Sequence, residues 1–103
     1  MKNMNQLIQQ AKKMQEEMLK AQAALAEQRV EGTAGGGMVK VMLDGHKSIQ
    51  SVTIDPSVVQ PDDVEILQDL IVAALQDAQQ QADALAESSM SKYTRGMNMP
   101  GLF

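Results

Sequence analysis

Along the first thirty residues, apolar side chains return at alternating steps of three and four: Met4, Leu7, Ala11, Met14, Met18, Ala21 and Leu25. This spacing predicts a long helix over Asn3 to Gln28 whose seam needs a covering partner. At ~1.5 Å per residue the helix would be roughly 40 Å long, more than a domain of this size covers by itself. Val30 to Gly37 carries Gly32, Gly35, Gly36 and Gly37 and cannot continue the helix. Beyond it the period falls to two. Val39, Val41 and Leu43 alternate with Met38, Lys40 and Met42, which predicts a strand with one buried face. Asp44-Gly45 is a type I′ turn signal. Lys47 to Ile54 returns as a second strand, with Ile49 out of phase with Val52 and Ile54, as a bulge or an outward apolar residue would produce. A short strand over Arg29 to Thr33 would add a third member to the meander.

Asp55-Pro56-Ser57 ends that strand and can open a single helical turn through Val59. In Pro61-Asp62-Asp63-Val64-Glu65, Asp62 is placed as N-cap and Glu65 as its capping-box partner. From there Val64, Leu67, Ile71, Ala74, Ala78, Ala82 and Leu85 again step by three and four, and Ile66, Leu70 and Leu75 widen the apolar face. The expected fold is a single α+β domain over residues 1–103. Helix one takes 1–28, a small antiparallel meander of two to three strands 29–55, a short turn 56–60, and a long helix 62–95 packs antiparallel on the first. Gly96 and Pro100 stop that helix, leaving an apolar, aperiodic tail over 96–103.

Composition adds a reason for pairing. With one Tyr, one Phe, no Trp and nine Met among 103 residues, the core must be built from Met, Ala, Leu, Val and Ile, a thin interior that dimerisation would help to bury. The chain has no cysteine, which removes disulfide and thiol chemistry. No run approaches ~18 apolar residues and no signal-peptide h-region opens the chain, so a soluble intracellular protein without a membrane partner is expected. Net charge is −4, which on its face argues against a polyanion partner. The charges are segregated, however. No acid precedes Glu16, whereas Lys2, Lys12 and Lys13 do, and from Asp62 onward the only bases are Lys92 and Arg95. Antiparallel packing of the two helices would gather these cations at one tip. An ordinary solvated surface explains the same residues, since acids at helix starts and bases at helix ends suit the macrodipole. From spacing alone that plainer reading leads.

Other chemistry has little support. Gly32 and Gly37 have P-loop spacing, but Met38-Val39 replaces the required Lys-Ser/Thr and a strand follows. His46 is the only histidine and sits beside a turn glycine, so it is expected to be an exposed turn residue, with neither a metal site nor a general base built around it. Asp62, Asp63 and Glu65 lack the ligand spacing of a calcium loop. No catalytic, cofactor-binding or metal-ligating residue is therefore assigned, and no small-molecule substrate.

The chain resembles the YbaB/EbfC nucleoid-associated proteins over nearly its whole length. The resemblance is carried by the Met/Gln/Lys-rich first helix, by Gly32-Thr33-Ala34-Gly35-Gly36-Gly37-Met38-Val39-Lys40-Val41, by Ile54-Asp55-Pro56, by Leu67-Gln68-Asp69-Leu70-Ile71 with Ala74 and Ala78, and by Gly96-Met97 through Pro100-Gly101. It implies a homodimer of α–β–α subunits with sheets joined at the centre and paired helices projecting as arms. It also implies binding of double-stranded DNA with low sequence preference, altering DNA conformation and organising the bacterial nucleoid in the cytoplasm, with effects on gene expression or DNA protection. It implies no catalytic residues and no cofactor. DNA contact falls to the arms, hence to Lys2, Lys12, Lys13, Lys20, Lys92 and Arg95. No cation precedes Lys92 in the final helix. The alternative is a scaffold that binds partner helices through its Met-rich seams.

Overall fold

Helix α1 (Lys2–Leu25) leads into three strands, β1 (Arg29–Ala34), β2 (Val39–Asp44) and β3 (Ile49–Ile54). Two 3-10 turns, Pro56–Val58 and Pro61–Asp63, then precede helix α2 (Val64–Thr94). The computed structural model describes residues 2–94, and side chains over 3–91. The expected tail over 96–103 lies outside the described residues, as does Arg95.

The strands form one antiparallel sheet in the order β1-β2-β3. Val39, Val41 and Leu43 of β2 point to one face and are fully buried, as their period-two spacing predicts. The third strand forms, and the phase break of Ile49 is a bulge, since Met42 pairs with Ser51 while Leu43 pairs with Ile49. Gly35, Gly36 and Gly37 all have positive φ, which makes this segment a tight hairpin turn and leaves no strand-to-helix phosphate loop.

The packing of α2 differs from the sequence expectation. Ala74, Ala78 and Ala82 are fully buried, but against Val39, Val41 and Leu43 of the sheet and not along α1. Small side chains suit helix-on-sheet contact because Gly32 of β1 lets the helix backbone approach; a Cβ there would lie 2.7 Å from Ala78 Cβ. α2 also meets α1. On α1, burial begins at the half-buried Met18 and Ala21 and is complete at Leu25. The seam ahead of it is open, with Met4 65% and Leu7 61% exposed. The molecule is accordingly elongated, 74 × 26 × 16 Å.

Two boundaries also shift. α1 ends at Leu25 and not near Gln28: Leu25 O accepts Gly45 N–H of the β2–β3 loop at 2.9 Å beside the local Gln28 N–H at 3.1 Å. α2 starts at Val64, since Asp62 and Asp63 belong to the preceding 3-10 turn and its N-cap, Gln60, makes no side-chain cap. Asp62 is thus not the N-cap, and the capping box is not formed.

Candidate nucleic-acid interface

Where α1 joins the sheet, one loop fixes the direction of the helix. Asp44 Oδ1 accepts from the backbone N–H groups of His46 at 2.8 Å and Ser48 at 2.9 Å, closing a loop longer than the expected two-residue turn. Lys47 takes the left-handed conformation with φ 70°. Gly45 is needed for space, since a Cβ would lie 2.8 Å from Leu25 Cβ. His46 is exposed as expected, but its ring is used: Nε2–H donates to Gln22 O at 2.6 Å, the acceptor fixing the proton on that nitrogen. Lys47 is paired with Asp83 of α2. One loop therefore ties α1, α2 and the sheet together.

The two N–H groups on Asp44, the Ser48 bond foremost, hold its carboxyl below the usual carboxylate range, and Ser57 does the same for Asp55. With the folded value depressed, the unfolded chain binds protons first, so this stabilisation is present above the unfolded value and lost as pH falls through the folded one. Acid titration should therefore destabilise the parent below about pH 4 more steeply than Asp44→Asn, which keeps the acceptor oxygen without a titrating charge. Equilibrium denaturation at several pH values would check this.

From this anchor α1 projects away from the sheet. Lys12, Lys13 and Lys20 are exposed on it, and among the described residues none is held by a carboxylate partner. Lys13 and Lys20 are seven residues apart and share a helix face, about 10 Å from one another along the axis. Lys2 opens α1, farther out. Lys92 lies in the last turn of α2. Nine residues separate it from Asp83, which sits level with the α1 terminus through Lys47, so Lys92 falls beside α1 at roughly the height of Lys13 to Glu16. Helical rise thus puts the backbones of Lys13 and Lys92 near a common level, with that of Lys2 about 16 Å beyond.

Two residues that the sequence reading did not single out decide which sheet edge stays open. Asp77 Oδ2 accepts from Thr33 N–H at 3.0 Å, and Gln81 Nε2 donates to Glu31 O at 2.8 Å. α2 thereby caps the outer edge of β1. Among the described residues β3 has no such cover, and Ile49 and Val52 on it are 61% and 48% exposed. No spacing in the glutamine-rich 76–81 stretch marks this pair ahead of the packing.

Among the described residues no group of His, Asp and Glu could hold a metal ion, and no helix is long and apolar enough to cross a membrane. The features define a class: a small α+β domain with a projecting helix that carries exposed lysines. The chain belongs to the YbaB/EbfC DNA-binding family, which matches residues 1–97. That is a family of DNA-binding proteins and not of enzymes. The chain is 55% identical over 101 residues to a nucleoid-associated protein of Exiguobacterium sp., covering 98% of this chain and 96% of that one. It is 54% identical over 101 residues to a nucleoid-associated protein of Bacillus thuringiensis, covering 98% and 93%. The fold is similar to that of the crystal structure of an uncharacterized protein from Helicobacter pylori, with a TM-score of 0.69 at 23% identity, covering 91% of this chain and 96% of that chain.

Proposed function

We propose that this is a nucleoid-associated protein of the bacterial cytoplasm that binds double-stranded DNA as a homodimer with little sequence preference, altering DNA conformation. The observation that carries the reading is the projecting arm, on which Lys12, Lys13 and Lys20 stand exposed, without carboxylate partners among the described residues, in a chain of net charge −4. Lys2, Lys92 and Arg95 complete the proposed contact set. Such cations neutralise backbone phosphates and carry no base readout, and no recognition-helix motif or aromatic platform is available for reading sequence. Titration of short duplexes of unrelated sequence tests this: affinities are expected to agree within about threefold, whereas a strong preference would point to base contacts.

The homodimer reading is supported by the asymmetry of the sheet. β1 is capped by Asp77 and Gln81, and β3 offers an open edge beside Ile49 and Val52. Pairing there would bury these side chains and leave the arms pointing outward. Sedimentation is expected to give a dimer at micromolar concentration, and Val52→Asp a monomer, because a carboxylate would be desolvated at the joint. A monomeric parent would contradict the dimer.

The uncovered seam at Met4, Leu7, Ile8 and Met14 favours a second reading, a scaffold that docks partner helices. Absence of duplex binding at low salt would turn the assignment to it.

A further inference from the structure

Two surfaces carry exposed apolar side chains that neither the DNA reading nor the dimer uses. The first is the outer half of α1, where Asn3 to Glu17 are all exposed over roughly 22 Å, with Met4, Leu7, Ile8 and Met14 flanked by Lys12 and without an acid before Glu16. The second is the face of α2 turned away from the sheet. Helical periodicity places Glu65, Ile66, Asp69, Val72 and Gln76 opposite Ile71, Ala74 and Ala78, and all five are exposed. This strip runs roughly 18 Å, with Asp62 and Asp63 just ahead of it and no base before Lys92. Apolar side chains interleave with carboxylates on one surface and lie beside Lys12 on the other. Length and charge therefore match.

The two surfaces cannot meet within one chain. The acidic strip lies at the end of the sheet where Leu70 covers Gly35, whereas α1 is anchored at the opposite end by Gly45 and leads away from it. We propose that the outer half of α1 docks on the outer face of α2 of another copy, linking copies head to tail. The surfaces differ, so each docking leaves a free arm and a free strip, and the assembly grows open-ended where a two-fold pair would close. One helix-to-helix contact of this length falls below the roughly 1,200 Å² of a stable interface, so the link is weak and depends on protein concentration and salt.

The chain has no cysteine, which allows a direct test without DNA. A variant carrying Leu7→Cys and Val72→Cys, both at exposed positions, is oxidised mildly at high protein concentration. The expected product is a ladder extending beyond two chains. Adding Glu65→Lys and Asp69→Lys should lower the yield about fivefold, and adding Lys12→Glu and Lys13→Glu to those should restore it, which a folding defect would not allow. Products that stop at two chains, or a ladder indifferent to charge reversal, would overturn the proposal. Neither result bears on DNA binding, since no DNA is present.

Discussion

Gly32→Ala is expected to cost about 3 kcal/mol or more and to lower the melting temperature by roughly 15 °C. The added methyl would meet the backbone of α2, namely Ala74 O and Ala78 N, as well as Ala78 Cβ. Backbone cannot rotate aside as a flexible side chain can, so the whole helix would have to lift. Lifting it uncovers Val39, Val41 and Leu43, the largest fully buried side chains among the described residues. It also pulls Asp77 and Gln81 away from Thr33 and Glu31, exposing the β1 edge. Thermal unfolding followed by far-UV circular dichroism checks this. Gly36→Ala is a useful contrast: nothing lies within 4 Å of the added atom, so only its φ of 68° is penalised, at about 1 kcal/mol.

The combined change of Lys13, Lys92 and Arg95 to Glu is expected to lower duplex affinity on the order of 100-fold at low salt. Reversal removes attraction and adds repulsion at positions proposed to face phosphate. The acids of the α2 start do not offset those cations, because they lie beyond the sheet and charges more than ~10 Å apart are largely screened in ordinary buffer. Lys40, exposed on the sheet and remote from the arm, supplies the control; Lys40→Glu should change affinity less than about threefold. Undiminished binding by the arm variant would dismiss the arm assignment while leaving DNA binding itself in place.

Periodicity alone was enough for the elements. The three-four seam of Met4 to Leu25, the alternation of Val39, Val41 and Leu43, and the phase break at Ile49 each reported backbone geometry directly. What lies against what did not follow from period. Ala74, Ala78 and Ala82 read as a narrow helix-pairing seam, and the feature that sends them to the sheet is Gly32, a residue forty-odd positions away whose missing side chain opens the space. The end of α1 falls short of Gln28 for a similar reason: Gly45 N–H and the His46 ring, donors that only the folded loop assembles, take Leu25 O and Gln22 O. For the interface, the segregation of cations toward the arm could be read from the order of charges. The capping of β1 by Asp77 and Gln81 could not, because a glutamine-rich helix face has many outward positions and only tertiary packing selects these two.

The salt dependence of duplex binding by the unaltered protein tests the DNA reading most directly. Phosphate neutralisation by arm cations predicts that log K falls linearly with log salt, with a slope of about −0.9 for each contact and a total steeper than about −3. Binding that is absent at low salt, or a slope near zero, would contradict it.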